Sequence, residues 1–188
     1  MKFVILAAGE NRRYFPIFFN KPKCLYHLNG SIKLGQVIEN AKQIVPEKDI
    51  IVVGGYKYKY IKAYLEKEYP EVEFRVNEKY MDPAIYSFRT AIENVDEDVL
   101  FTFGDESISI KNIKRIAESK KKLSIMYHDT FYYYSLGIFK LRKDCLYILN
   151  DDKYLNFEEL KEIYKFANNK TEYDGCFNIN SGICIGYM

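Results

Sequence analysis

In the first half of the chain, short unbroken apolar runs alternate with amphipathic stretches. Lys2 to Ala7 reads as a buried strand. Ile50-Ile51-Val52-Val53 is a second, ending at Gly54-Gly55, and Glu73 to Asn77 a third. Val99 to Phe103 is a fourth, ending at Gly104-Asp105. Between them the spacing turns helical. Ile32, Leu34, Val37, Ile38, Ala41 and Ile44 recur on one face, with Ser31 placed to cap the start and Pro46 to stop the run. Tyr58 to Tyr69 carries Ile61, Tyr64 and Leu65 on one side. Pro83 is placed to open a helix bearing Ile85, Phe88 and Ile92.

Alternation of continuous apolar strands with amphipathic helices predicts an α/β fold: a mostly parallel sheet covered by helices on both faces. Ligands of such sheets sit at the carboxyl ends of the strands. The second half is less regular. Leu123 to Tyr127 and Tyr132 to Leu141 are strand-like, the latter with Gly137 inside. Phe157 to Ala167 reads as a helix with Leu160, Ile163, Tyr164 and Ala167 on one face, and Phe177 to Tyr187 as a final extended segment. With no internal repeat, linker or low-complexity stretch, residues 1–188 read as one domain.

Two strand ends carry candidate chemistry. After the first strand comes Leu6-Ala7-Ala8-Gly9-Glu10-Asn11-Arg12-Arg13, then Lys21-Pro22-Lys23. Small residues let an anion approach backbone N–H groups, Arg13 can fork onto phosphate oxygens, and Lys23 adds a point charge. The fourth strand delivers Gly104 and then the carboxylate of Asp105 to the same edge of the sheet.

Composition narrows the classes. Twenty-eight basic against 26 acidic residues argues against a dedicated nucleic-acid binder. Gly55-Tyr56-Lys57-Tyr58-Lys59-Tyr60 interleaves cations and aromatics as a single-strand surface does, but with the total charge near neutral it reads rather as a loop running into an exposed helix face. Cys24, Cys145, Cys176 and Cys184 lack C-x-x-C spacing and read as reduced thiols of a cytoplasmic protein. No apolar run approaches transmembrane length, and the first strand is too short for a signal peptide. G-x-x-x-x-G-K-[ST], H-E-x-x-H, G-x-S-x-G and G-x-G-x-x-G are all absent.

The first loop resembles the start of nucleotidylyltransferases that act on sugar phosphates and related small phosphates. Their pattern is roughly L-A-A-G-x-G-x-R, then P, then K-P-K-x-L. Here Arg13, Pro16, Lys23 and Leu25 fall in order, and Asn11 stands at the second Gly. Asn77 to Phe88 is similar to the cytidylyltransferase branch, the phosphocholine type in particular. Ile85, Tyr86 and Ser87 match its N-N-I-Y-S-L, while Pro83 and Ala84 replace the two Asn. Phe177-Asn178-Ile179-Asn180-Ser181 partly fits the second metal-binding segment, with Asn180 in the ligand position and Asn178 as its alternative. Asn180-Ser181-Gly182-Ile183 and Ser135-Leu136-Gly137-Ile138-Phe139 both resemble the acceptor-binding strand.

The resemblance implies a Rossmann-like enzyme with a nucleotide-binding half over about 1–110 and a smaller, irregular β-containing acceptor half over about 111–188. It implies NTP and a small phosphorylated acceptor as partners, Mg²⁺ as cofactor, and CMP as the group favoured for transfer. Arg13 and Lys23 would be catalytic. Leu6, Ala7, Ala8, Gly9, Glu10, Asn77, Tyr86, Ser87 and Gly104 would bind nucleotide, and Asp105 and Asn180 the metal. No nucleic acid and no membrane is expected. Two readings compete with this one: a nucleotide-binding relative of weak activity, and a single-stranded nucleic-acid-binding module on the Tyr/Lys surface.

Overall fold

The computed structural model describes residues 1–10, 20–28, 30–130, 133–150, 178–179 and 182–183. The helix expected over Phe157 to Ala167 and most of the last extended segment lie outside them. Six strands form the main sheet: β1 (Lys2–Ala7), β4 (Ile50–Gly54), β5 (Glu73–Val76), β6 (Val99–Phe103), β7 (Leu123–Thr130) and β8 (Tyr133–Leu141). Their order is β5-β4-β1-β6-β8-β7. β1 runs parallel to β4, with Phe3 opposite Ile50, and parallel to β6, with Leu6 opposite Phe103. β5 continues the parallel set beside β4. β8 then pairs antiparallel with β6, and β7 antiparallel with β8. The expected mostly parallel, Rossmann-like α/β sheet is therefore what the chain forms.

Period-two alternation sends neighbouring residues of each buried strand into two separate cores. Phe3, Ile5, Ile50, Val52 and Leu100 face α1 (Lys33–Ala41), α2 (Tyr58–Glu68) and α4 (Ile110–Glu118). Val4, Leu6, Ile51, Val53 and Phe101 face α3 (Ile85–Ile92) and the 3₁₀ segment Lys143–Asn150. Phe88, Phe101 and Phe139 meet in the second core, with Phe88 edge-on to Phe101 at 5.3 Å between ring centroids. Deleting such a buried ring costs about 3–5 kcal/mol, so Phe88 fixes how α3 lies on the sheet.

Several local expectations change. Ser31 does not cap α1. It belongs to β3 (Ser31–Ile32), which pairs with β2 (His27–Leu28) beside Gly30 at φ +86°. With its backbone in that hairpin, Ser31 leaves the cap position to Ile32 and accepts a hydrogen bond from Gln36 instead. α1 stops at Ala41, and Ile44 enters a following turn whose N–H bonds the Ala41 carbonyl at 2.8 Å. Pro83 sits two residues before α3, and its carbonyl accepts from the Tyr86 N–H at 3.1 Å. Helix α4 is an addition: Ser109 caps it by accepting from the Asn112 N–H at 3.4 Å, and Ile113 and Ile116 face the core. A Ser followed by isoleucines at positions 110, 113 and 116 is its sequence signal. In the last segment, β9 (Asn178–Ile179) and β10 (Gly182–Ile183) pair antiparallel.

The Tyr/Lys stretch is largely packed onto the protein. Tyr56 leans on Tyr80 and Tyr58 stacks on Phe74, while Tyr60 is exposed. Among the described residues no helix is long and apolar enough to cross a membrane.

Candidate active site

Because β1, β4, β5 and β6 are parallel, their carboxyl ends share one edge of the sheet. The chain leaves β1 through Ala8 and Gly9, and leaves β6 through Gly104 and Asp105. The Gly104 N–H donates to the Leu6 carbonyl at 2.9 Å, and the Tyr56 N–H to the Ala8 carbonyl at 2.9 Å. A cleft of about 250 Å³ opens between these exits. One wall consists of Leu6, Ala7, Ala8, Gly9, Pro22, Lys23, Cys24, Phe103, Gly104 and Asp105. The facing wall consists of Tyr80, Asp82, Ala84 and Ser87. A Cβ at Gly9 would meet nothing within 4 Å, so no side chain stands between that backbone and the cleft. A Cβ at Gly55 would lie 2.4 Å from the Tyr80 Cβ and 2.8 Å from the Ala8 carbonyl oxygen, so glycine lets the two walls close together.

Lys23 reaches the cleft from a single 3₁₀ turn, Lys23–Leu25, that begins after Pro22. Cys24 and Leu25 are buried, which turns Lys23 outward, and the Leu25 N–H closes the turn onto the Pro22 carbonyl at 3.0 Å. The Lys23 ammonium lies 2.5 Å from Asp105 Oδ2, with both side chains about one-third exposed. A cation therefore already sits on the carboxylate that the resemblance assigns to metal. No group of three or more His, Cys, Asp or Glu side chains among the described residues forms a metal cluster. That donor set fits a hard cation such as Mg²⁺, which keeps waters, binds one or two carboxylates and takes its other ligands from substrate phosphates.

Cys24 lines the same wall at 3% exposure. Burial first, and the neighbouring Asp105 charge second, push its thiol up to about 12. It is thus a neutral thiol across the physiological range. Cys24 and Cys145 are both free.

The facing wall is held by a different device. Asn77 is buried, and its amide Nδ2 donates to Ser87 Oγ at 2.9 Å. Its Oδ1 accepts from the Lys79 N–H at 2.9 Å. The Asn77 N–H itself donates to the Gly54 carbonyl at 2.8 Å, which ties the segment to the end of β4. Tyr86 turns away from the lining, with the Lys79 ammonium 4.7 Å from its ring centroid and Arg89 on the ring at 5.6 Å.

Of the residues that the sequence singles out, Leu6, Ala7, Ala8, Gly9, Lys23, Ser87, Gly104 and Asp105 share this cleft. Glu10, Asn77 and Tyr86 are not among its lining residues. Arg13 and Asn180 lie outside the described residues, as do Asn11 and Pro16. Cys24, Tyr80, Asp82 and Ala84 join the lining, although the sequence assigns them no site role. Tyr80 and Asp82 fall inside the Asn77 to Phe88 stretch, but only the folded turn, with the Asp82 N–H on the Lys79 carbonyl at 3.0 Å, brings them to the rim.

Known proteins resemble this chain in sequence and in fold. The chain is 31% identical over 176 residues to the bifunctional protein GlmU of Buchnera aphidicola, covering 89% of this chain but only 37% of that protein. A crystal structure of a putative glucose-1-phosphate thymidylyltransferase from Bacillus anthracis superposes with a TM-score of 0.70 at 15% identity, covering 90% of this chain and 83% of that one. The CTP:phosphocholine cytidylyltransferase of Streptococcus pneumoniae superposes with a TM-score of 0.63 at 16% identity, covering 97% and 91%. The fold is therefore the one these nucleotidyltransferases share. A family model described as a domain of unknown function, DUF6564, matches residues 20–174, and the chain belongs to that family.

Proposed function

We propose that this chain is a nucleotidylyltransferase, moving a nucleoside monophosphate from an NTP to a small phosphorylated acceptor and releasing pyrophosphate. One observation carries the reading: Lys23, Asp105 and the small-residue exit of β1 converge on a single cleft at the carboxyl edge of the sheet. The sugar-phosphate and phosphocholine enzymes that share its fold supply the chemical class.

The acceptor's phosphate oxygen is already an anion, so attack on the α-phosphorus needs no strong general base. Positioning and charge neutralisation are what the protein must provide. Backbone at Ala8 and Gly9 receives phosphate oxygens where no side chain intervenes. Lys23 leaves Asp105 for the nucleotide and balances the charge that builds up on the α-phosphate as the bond to pyrophosphate breaks. Arg13, by resemblance, holds the β- and γ-phosphates. Asp105 is the residue that would hold Mg²⁺, with Asn180 as a second ligand. The metal supplies a Lewis acid on the phosphate oxygens when bound.

Ser87 lines the opposite wall, and its hydroxyl would meet the base or ribose. Since Asn77 donates to Ser87 Oγ, the Ser87 proton is left to point elsewhere, and the cleft is one direction open to it. The Ile85-Tyr86-Ser87 match favours CTP.

A thermal-shift panel of CTP, UTP, GTP and ATP, each with and without Mg²⁺, tests the reading. Ligand that binds only the native state raises the midpoint by mass action. CTP with Mg²⁺ is expected to give the largest rise, and an oligonucleotide none. A panel in which no NTP moves the midpoint overturns the proposal. A clear purine preference overturns the base assignment alone.

A further inference from the structure

Lys33 is out of place by every local rule. It is the first residue of α1, where the helix dipole disfavours a cation, and it is only 7% exposed. Burial pushes its ammonium below the ordinary lysine range, opposed by the nearby charges of Glu106 and Asp105. Such a placement is kept where something else depends on it.

What depends on it lies just past β6. The Lys33 ammonium donates to Ser107 Oγ. Two turns along the same helix, at i+7, Asn40 Nδ2 reaches the Ile108 carbonyl at 3.5 Å. Ser109 then caps α4. Helix α1 thus clamps the segment that presents Asp105. The carboxylate has Lys23 directly on one oxygen and Lys33 within electrostatic range. Lys23 is partly exposed and able to swing to a phosphate. Lys33 is buried and tied to Ser107, so its charge stays where it is.

We propose that Lys33 is a positioning residue for Asp105, and that its fixed positive charge keeps the cleft from holding a divalent cation until nucleotide phosphates arrive with it. The idea rests on the reading of Asp105 as the metal-holding carboxylate. It follows from charge counting. On this wall the carboxylates of Asp105 and Glu106 stand against the ammoniums of Lys23 and Lys33, so the wall offers a free dication no net negative charge, and Asp82 across the cleft adds one carboxylate. With triphosphate oxygens present, Lys23 transfers to them and Asp105 is released to the metal. Lys33 therefore sets the selectivity for metal-bound nucleotide over metal alone.

The test titrates Mn²⁺ into nucleotide-free protein, read by the electron paramagnetic resonance signal of free Mn²⁺. Wild type, Lys33→Gln, Lys33→Met, Lys33→Gln combined with Asp105→Asn, and Ser107→Ala are compared. Lys33→Gln keeps a donor for Ser107 and loses the charge. Lys33→Met removes an ammonium whose charged form burial disfavours, and its fold is checked by its denaturation midpoint. Both are expected to bind free Mn²⁺ about tenfold more tightly, the scale of one charge acting across partly aqueous protein. Ser107→Ala, which keeps the charge, should bind it as wild type does. Isothermal titration of CTP in EDTA should show the two Lys33 variants binding nucleotide several-fold more weakly.

Free-Mn²⁺ affinity unchanged in both Lys33 variants overturns the inference and leaves the reading of Asp105 standing. A gain that survives Asp105→Asn means the metal sits elsewhere and overturns that reading too. A gain abolished by Asp105→Asn supports both.

Discussion

On one side of the cleft the chain brings charges together: Lys23 and Asp105 in contact at 2.5 Å, with Lys33 buried behind them. On the other side it buries a neutral hydrogen-bond relay, from the Gly54 carbonyl through Asn77 to Ser87. The charged wall is made of side chains about one-third exposed that can exchange partners when an anion arrives. The facing wall is braced by Asn77 and Ser87, whose partners are already fixed, and it lines the cleft with Tyr80, Asp82, Ala84 and Ser87. Energetics differ accordingly. An exposed ion pair contributes little to stability and is cheap to open. A buried amide with both ends engaged is costly to disturb. The first wall is therefore suited to chemistry and the second to recognition.

The largest effect expected is on the charged wall. Lys23→Ala should leave the denaturation midpoint nearly unchanged, since it removes only a partly exposed ion pair. Turnover in a pyrophosphate-release assay should fall at least about a hundredfold, the scale for losing one electrostatic stabiliser. Undiminished turnover in the folded variant removes Lys23 from the mechanism and erases the contrast between the two walls.

Asn77→Ala breaks the other wall. The Lys79 N–H loses its acceptor and Ser87 Oγ its donor. Urea denaturation should show a loss of about 1–3 kcal/mol, the cost of leaving a buried polar group unsatisfied. CTP affinity should fall, while the enhancement of binding by Mg²⁺ stays as in wild type. A variant that loses the Mg²⁺ enhancement instead would show that the walls do not act separately.

The two walls are not equally legible in the sequence. Charged residue types beside strand ends announce themselves, so Lys23 and Asp105 stand out by type and position, while the roles expected of them come from the resemblance. The strands of the parallel set are equally plain, because Phe3-Val4-Ile5, Ile50-Ile51-Val52-Val53 and Val99-Leu100-Phe101 are apolar on both faces. Asn77 stands out in the sequence too, but as a ligand group. Its side chain turns inward because Ser87, ten residues on, and the Lys79 N–H satisfy both ends of its amide, which is a fact of tertiary geometry. Ser31 fails as a cap because an antiparallel pairing with Leu28 outcompetes a local preference. Lys33 reads as one more polar helix position; only the packing of the segment after β6 against α1 gives it a role. Tyr80 and Asp82 fall inside the Asn77 to Phe88 stretch that the resemblance covers, but only the folded turn, whose close approach depends on Gly55, shows that these two line the rim.

The smallest effect expected is at Cys24, and it sharpens the comparison most finely. This thiol belongs to the charged wall alongside Lys23 and Asp105, yet burial and the Asp105 charge hold it protonated, pushed up to about 12. The folded-state value lies above the ordinary thiol value of 9.0, so the folded protein favours the neutral thiol, and the thiolate gains ground only as pH rises well past 9.0. Reactivity follows the thiolate. Iodoacetamide at pH of about 8, below the ordinary thiol range, should therefore leave Cys24 unlabelled in native protein and label it on unfolding, as read by peptide mass spectrometry. Cys24→Ala should keep turnover within about threefold of wild type, since it alters no charge and removes only one buried sulfur from the wall. Rapid native labelling at Cys24 would mean that the neighbouring cations stabilise a thiolate after all. The charged wall would then hold a nucleophile, and the division between a wall that acts through charge and a wall that acts through fixed hydrogen bonds would have to be redrawn.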